Sequence, residues 1–273
     1  MKHAALSVLL LLFIFKSAFA DQAFLSLTAD TWLNVDSTNY STHLHLKTYT
    51  FPAGRVGNVA LLQWNLSTIH AGAIINHATL SLYLQDWRGA TPYHVTVHRI
   101  LNFNPVLTAA TGQTYDGTNA WTANGCCYNN VPMAQADIDH AVASLSVSEQ
   151  LGYRNWHITS VIQQWVNNPN TALGILVNAD HSAAVDNYRY FASNESYTDR
   201  RPLLEVNFTP PPPLTGTHRS VTLTWNDNSD NEDGFYVERR QYPPTGNFTR
   251  AHTLPVQSVT WIDVFDANEE RCY

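Results

Sequence analysis

The sequence predicts an all-β protein whose main part is a β-sandwich of the jelly-roll kind. Segments in which apolar and polar residues alternate recur about every 10–20 residues, and Gly, Asn and Pro lie between them. Successive side chains of a strand point to opposite faces, so an alternating pattern places the apolar side chains in a core and the polar ones in solvent. Several such segments with turn residues between them are typical of a sandwich.

The strand pattern is clearest in five segments. In residues 79–85, Leu80, Leu82 and Leu84 share one face. The other predicted strands are residues 59–66, 94–100, 174–178 and 204–208. Residues 115–133 show no period and are predicted to form a long loop.

One short helix is predicted at residues 160–167, and a second is possible at 137–150. The first has apolar residues at helical spacing and ends before Pro169. Ser160 and Gln163 have the spacing of a capping box, in which each side chain bonds a free backbone N–H of the first turn. The apolar residues that define its buried face are Val161, Ile162, Trp165 and Val166.

The amino terminus predicts export. Residues 1–20 contain Lys2, then an apolar run at residues 4–15, and end in Ala18-Phe19-Ala20. This order is that of a cleavable signal peptide, and the run is too short to span a membrane. We therefore expect a secreted, extracellular protein with no membrane anchor after cleavage.

Composition excludes other classes. Charged residues are 14% of the 273 residues, against about 25% in an average soluble domain. The formal net charge is −7 and Lys and Arg form no runs, which argues against a nucleic-acid partner. Aromatic residues are 12%, too many for a disordered chain.

The three cysteines, Cys126, Cys127 and Cys272, form no disulfide framework, and whether the adjacent pair is bonded stays open.

A run of four prolines divides the chain. Pro210–Pro213 cannot join a central strand ladder and favours an extended spacer. We therefore predict a body at residues 22–209, a linker at 210–216 and a tail at 217–273.

The body resembles the DNRLRE domain, carbohydrate-binding module family 96, over nearly all of residues 22–209. The landmarks that carry the resemblance occur in order: Ala29-Asp30, Asn39-Tyr40, Ala60 to Ile69, Val97-His98-Arg99, Trp156-His157-Ile158-Thr159-Ser160-Val161, Phe191 to Glu195, and Arg201-Pro202-Leu203-Leu204-Glu205-Val206. Members often have Arg-Phe-Asp where this chain has Gln63-Trp64-Asn65. The resemblance implies a secreted, non-catalytic β-sandwich that binds polysaccharide, uronate-type glycans among them.

The tail is similar to the start of a bacterial fibronectin type III domain. The similarity rests on the strand that ends in Trp225 and on the Gly234-Phe235-Tyr236-Val237-Glu238-Arg239 pattern. Residues 217–273 hold about two thirds of such an immunoglobulin-like sandwich. Two expectations stay open: either the chain is part of a longer, multidomain protein, or the tail does not close its sheet.

Aromatic and basic residues near predicted loops are the candidate binding residues. Trp and Tyr offer flat apolar faces to sugar rings, and Arg can bond a uronate carboxylate with two N–H groups. The predicted carbohydrate-binding residues are Trp87, Arg88, Trp121, Tyr188 and Arg189.

A cofactor is not expected, apart from a structural calcium ion that Asp30 and Glu195 would bind. The sequence contains no nucleophile, metalloprotease or phosphate-binding motif. We therefore do not expect an enzyme. The alternative function is that of an extracellular adhesion or matrix protein that binds proteins rather than glycans.

Overall fold

Strands form most of the chain, and the all-β prediction is confirmed. The structure is a computed structural model that describes residues 20–89, 92–123, 130–211, 218–226, 233–242, 247–254, 258–266 and 270–273. The chain forms two compact units, Met1–Pro211 and Pro212–Tyr273. The predicted signal peptide and the Cys126-Cys127 pair lie outside the described residues, apart from Ala20.

Eleven strands build the first unit. They are β1 (Asp21–Leu25), β2 (Leu27–Asn34), β3 (His45–Phe51), β4 (Arg55–Trp64), β5 (Ile74–Arg88), β6 (His94–Arg99), β7 (Ala143–Ser146), β8 (Gly152–His157), β9 (Ile175–Asn178), β10 (Asn187–Ala192) and β11 (Leu203–Thr209). The five predicted strands correspond to β4, β5, β6, β9 and β11.

One antiparallel sheet contains all eleven strands and curls around a single core. Its hydrogen-bonded order is β1-β11-β5-β10-β3-β4-β9-β6-β7, while β2 pairs with β4 and β8 pairs with β5. The two halves of this path face each other, since the Trp156 Nε1 of β8 donates to the Val95 carbonyl oxygen of β6 at 3.0 Å. The inward faces supply the core, in which Leu33, Leu61, Leu62, Leu80, Leu82, Leu84, Trp156 and Phe191 are almost wholly buried. The result is a sandwich-like fold, as predicted.

The predicted helix is present, but its amino-terminal cap is not the predicted one. Helix α1 spans Thr159–Asn167 and buries Val161, Ile162, Trp165 and Val166. Its N-cap residue is Ile158, and no side chain caps it. Gln163 instead bonds the start of β5 and the residue before it: its Oε1 accepts from Ile75 N at 2.8 Å and its Nε2 donates to Ala73 O at 3.1 Å. The capping-box prediction is therefore wrong.

The prediction of a possible second helix at residues 137–150 is also wrong, because these residues include strand β7. The described part of residues 115–133 contains no helix and no named strand, as predicted for a loop. Two single-turn 3-10 helices, Pro169–Thr171 and Thr198–Arg200, follow α1 and β10.

The second unit contains two small sheets. Strands β12 (His218–Thr224) and β15 (Thr260–Asp266) form one, and β14 (Thr249–Leu254), β13 (Phe235–Tyr242) and β16 (Glu270–Cys272) form the other. Among its described residues only Val237 and Asp263 are buried. The resemblance of this unit to a fibronectin type III domain stays a prediction.

No helix among the described residues has the length and apolar character needed to cross a membrane.

Candidate functional site

The outward faces of β3 and β10 carry a set of aromatic side chains. Burial alternates along β3, so that Lys47, Tyr49 and Phe51 point away from the core. Tyr188 and Tyr190 do the same on β10. The strands are antiparallel neighbours in which Tyr188 lies opposite Tyr49 and Tyr190 opposite Lys47. Residues directly opposite each other point to the same face, so these five side chains form one surface.

The rings on this surface form a row. Phe51 and Tyr49 meet edge to face with centroids 4.7 Å apart, and Tyr49 and Tyr188 follow at 6.4 Å. Tyr188 and Tyr190 are stacked, with centroids 4.1 Å apart and an interplanar angle of 18°. The row ends at Lys47, whose Nζ lies 5.1 Å from the centre of the Tyr190 ring.

The end of β5 adds charged groups beside the rings. In the pairing of β10 with β5, Tyr190 lies opposite Asp86 and Tyr188 opposite Arg88. The Tyr188 hydroxyl donates to Asp86 Oδ2 at 3.3 Å. Arg88 is exposed, and its guanidinium has no hydrogen bond or ion pair with any residue that the structure describes. We call Lys47, Tyr49, Phe51, Tyr188 and Tyr190, together with Asp86 and Arg88, the tyrosine face.

The environment keeps the tyrosine hydroxyls protonated. The pKa of Tyr190 is raised to about 12, mainly by burial and also by the neighbouring Tyr188 and Asp86. Burial also raises the pKa of Tyr49, whose hydroxyl donates to Asp186 Oδ1 at 2.8 Å. Each hydroxyl that donates to a carboxylate is fixed in direction and keeps lone pairs with which it can accept.

Lys47 is held between two rings. Its Nζ lies 4.5 Å from the Trp32 ring centre as well as near Tyr190, and partial burial lowers its pKa. Trp32 in turn stacks on Tyr40 with centroids 3.8 Å apart. These contacts hold the lysine side chain between the Trp32 and Tyr190 rings.

The structure divides four of the predicted residues between two faces. Arg88 and Tyr188 belong to the tyrosine face, whereas Trp87 lies opposite Arg189 and shares the inward-pointing side. Trp87 is 36% exposed, because the end of β5 extends beyond the core. All four lie in strands, whereas the sequence indicated positions in or beside loops.

Arg189 is wholly buried and bonds the protein itself. Its Nε donates to Val147 O at 3.0 Å, and its Nη1 donates to Asn187 Oδ1 at 2.8 Å. Its guanidinium carbon lies 5.0 Å from the centre of the Tyr93 ring. Its Nη2 has no hydrogen-bond partner among the described residues, but the whole side chain is buried, so Arg189 is not exposed to an external ligand in this structure.

Trp121 is buried as well. It is 2% exposed, and its Nε1 donates to Thr111 O at 2.9 Å. Its ring lies beside the stacked pair of Phe103 and Tyr115, at 6.3 and 5.9 Å. This cluster packs the long loop, and Trp121 shows no ring face to solvent.

Asp30 and Glu195, the predicted calcium ligands, are neighbours. Asp30 is 4% exposed, and its Oδ2 accepts from Asn194 N at 2.8 Å. The pKa of Asp30 is raised to about 7, mainly by burial and also by the charge of Glu195 and a hydrogen bond to it, while the bond from Asn194 N opposes the rise. Nowhere in the described part of the chain do three or more His, Cys, Asp or Glu side chains form a group that could hold a metal ion. Calcium binding by this pair stays a prediction.

Sequence reasoning missed the β3 contribution. In the segment His45–Phe51 the inward residues are Leu46, Thr48 and Thr50, and two of these three are polar. The buried threonines bond inside, since the Thr48 hydroxyl donates to Arg189 O and the Thr50 hydroxyl to Asp180 O. The alternation of threonine and aromatic residues in Thr48-Tyr49-Thr50-Phe51 could have predicted this strand, but an alternation of apolar and polar residues could not, because the inward threonines are polar.

A comparison with family models identifies the family of the first unit. The family model of carbohydrate-binding module family 96 matches residues 21–208, which is the whole eleven-stranded sheet except for its last residue. A search of curated proteins found no match to the chain. Because the family model covers more than half of the sequence, the chain belongs to carbohydrate-binding module family 96.

Proposed function

We propose that this protein binds an extracellular polysaccharide without cleaving it, and that the tyrosine face is its binding surface. The observation that carries the proposal is the row of Phe51, Tyr49, Tyr188 and Tyr190, whose neighbouring ring centroids are 4.1 to 6.4 Å apart. Membership in a carbohydrate-binding family supports the ligand class. A fixed row of rings fits an extended ligand better than a single small molecule.

Sugar chemistry supports this surface. A pyranose ring has an apolar C–H side that packs on an aromatic face, and hydroxyls that need hydrogen-bond partners. The tyrosine rings supply the aromatic faces, and the hydrogen-bond partners are Asp86, Asp186 and the tyrosine hydroxyls. Because Tyr49 and Tyr188 already donate to these carboxylates, the polar groups are oriented before a ligand arrives.

Two cations favour a uronate-type glycan. Arg88 is exposed beside Tyr188, and no described residue uses its guanidinium. Such a group bonds a carboxylate through two parallel N–H donors. Lys47, at the other end of the stacked pair, adds a second positive charge.

The test is affinity electrophoresis and calorimetry with polygalacturonate and alginate as acidic probes and laminarin as the neutral one. Tyr188→Ala and Tyr190→Ala should each weaken binding about fivefold, since stacking on one ring contributes about 1 kcal/mol. Arg88→Gln should weaken binding of the acidic probes and leave laminarin unaffected. The control is Tyr197→Ala, which removes a tyrosine that is 72% exposed and makes no contact with the tyrosine face.

Two further variants locate the ligand if the face is wrong. Trp87→Ala probes the opposite side of β5, and Trp121→Ala probes the long loop. Normal binding by both tyrosine variants, with a loss in Trp87→Ala, would move the site to the Trp87 side. Failure of all three polysaccharides to bind, together with capture of an extracellular protein, would favour the adhesion alternative. Release of shorter oligosaccharides from any probe would contradict the non-catalytic role.

A further inference from the structure

Two histidines meet near the start of β5, whereas the tyrosine face uses the end of that strand. His77 of β5 and His157 of β8 are both exposed, and their ring centroids are 4.8 Å apart with an interplanar angle of 52°. In the antiparallel pairing of these strands His157 lies opposite Thr79, so His77 is its diagonal neighbour. Both rings therefore lie on the outward side of the sheet and are open to solvent.

The His77 ring is oriented by its own strand. Its Nε2 lies 2.9 Å from Thr79 Oγ1, which is a hydrogen bond. When Nε2 carries the proton and donates to the hydroxyl oxygen, Nδ1 keeps its lone pair. Histidines that bind metals usually donate their other N–H in this way, which fixes the tautomer and the ring. The His157 ring forms no hydrogen bond or ion pair with any residue that the structure describes, which leaves it available to a ligand.

The separation of the two rings fits a shared metal ion. An imidazole nitrogen binds Zn²⁺ at about 2.0–2.1 Å, which places the ion about 3.2 Å from the ring centre. Two ring centres 4.8 Å apart then correspond to an angle at the ion of about 97°. This lies between the angles of about 90° and about 109° in square-planar and tetrahedral coordination. Because the ring torsion of histidine is soft, exposed rings can turn their nitrogens toward one point without a change in the backbone.

The surroundings of the pair favour a cation. Glu205 of β11 lies opposite Thr79 across the other edge of β5, so its carboxylate is on the same face as the two rings. Its Oε1 accepts from Gln22 Nε2 at 2.8 Å and from Asn207 Nδ2 at 3.1 Å. Glu205 is thus held by its neighbours in the sheet, and it contributes a negative charge near the site rather than a ligand.

We propose that His77 and His157 form a binding site for a late first-row divalent cation, with Cu²⁺ bound more tightly than Zn²⁺. Imidazole nitrogens suit these ions, whereas Ca²⁺ and Mg²⁺ take oxygen ligands. No third His, Cys, Asp or Glu among the described residues completes the site, so water occupies the remaining positions. The ion joins β5 to β8 directly before α1, and by binding the folded state it stabilises the first unit. This site is independent of the polysaccharide site on the tyrosine face.

The experiment is calorimetry and electron paramagnetic resonance on the full chain, with Cu²⁺ and Zn²⁺ chlorides in a buffer that does not bind metals. The first equivalent of Cu²⁺ should show two coordinated imidazoles. His77→Gln and His157→Gln should each reduce these to one and weaken Cu²⁺ binding at least about tenfold, since each removes a ligand. Thr79→Val removes the acceptor that orients His77 and should weaken binding about tenfold, whereas Thr79→Ser should bind as the wild type does.

The controls separate this pair from other histidines and from oxygen sites. His70→Gln changes an exposed histidine that contacts no other ring among the described residues, and it should leave Cu²⁺ binding unchanged. Any Ca²⁺ binding should be the same in the wild type and in both histidine variants, and circular dichroism checks that each variant folds. The proposal is overturned if the first Cu²⁺ shows a single imidazole, if both histidine variants bind it as the wild type does, or if one ion is bound per two chains.

Discussion

Arg88 and Arg189 lie on neighbouring strands and have the same side chain, yet their surroundings give them different roles. Arg88 is on the outward side of β5 and is exposed, whereas Arg189 is on the inward side of β10 and bonds four acceptors. The sequence named both as ligand-binding residues, because Arg next to Trp or Tyr is a common pattern at sugar sites. It could not tell them apart, since their faces depend on a pairing between strands about 100 residues apart in the chain.

Asp30 makes the free energy of unfolding depend on pH. Its pKa is about 7 in the folded protein, against 3.8 when it is exposed. A raised pKa means that the folded state holds its proton more tightly than the unfolded state. The resulting stabilisation is complete below pH about 4, decreases by about 1.4 kcal/mol per pH unit as the pH rises, and is lost above pH about 7.

We predict that Asp30→Asn removes this dependence. An amide stays neutral at every pH, and its oxygen can still accept from Asn194 N. Urea unfolding at pH 4.5, 5.5 and 6.5 should show the unfolding free energy of the variant exceeding that of the wild type by a margin that grows steadily as the pH rises. The matched control is Asp21→Asn, which changes an exposed carboxyl. Parallel pH profiles for wild type and Asp30→Asn would mean that Asp30 titrates normally.

At the scale of the element, helix α1 shows which features a local pattern can predict. Its apolar spacing identified all four buried residues, because the period of a helix is set by its own backbone. Its cap was wrong because the surrounding chain competes for the polar groups. Thr159 Oγ1 accepts from Ala78 N at 3.0 Å, and Gln163 bonds Ala73 and Ile75. Polar side chains at the start of the helix therefore attach it to β5 rather than close its first turn.

Two substitutions in α1 distinguish these roles. Gln163→Ala leaves the Ile75 N–H and the Ala73 carbonyl without their partners, and should lower the unfolding free energy by about 1–3 kcal/mol. Ser160→Ala should change it by less than about 0.5 kcal/mol, because Ser160 is exposed and caps nothing. Denaturant unfolding followed by tryptophan fluorescence measures both. Equal losses in the two variants would support the capping box after all.

For the whole molecule, the sequence predicted the fold class but not the arrangement of strands. An alternation of apolar and polar residues predicts a strand but does not predict which strands it pairs with. Strand β5, for example, pairs with β8, β10 and β11. The tyrosine face exists only because β10 lies between β5 and β3. Two of its tyrosines come from strands about 140 residues apart in the chain, so no local pattern could reveal the row.

The two units differ in how much apolar surface they bury. In the first, one curled sheet encloses a continuous core that contains several tryptophans. In the second, the described strands form two sheets of two and three strands, and Ile262 and Val264 remain 58% and 44% exposed. The buried carboxylate of Asp263 accepts from Arg239 Nη1 at 2.5 Å and from the Tyr273 hydroxyl at 2.7 Å. We therefore expect the second unit, whose described residues bury so little, to be marginally stable.

Limited proteolysis should therefore separate the units in a fixed order. Proteases cut backbone that opens easily, and opening takes less free energy where few apolar contacts must be broken. With a low ratio of a nonspecific protease, the first cuts should fall in residues 210–273 and leave a resistant fragment that ends near Thr209. Mass spectrometry identifies the end, and the same digestion at several low protein concentrations excludes protection by self-association. Equal resistance of both units under these conditions would mean that the second unit is as stable as the first, although its described residues bury so little.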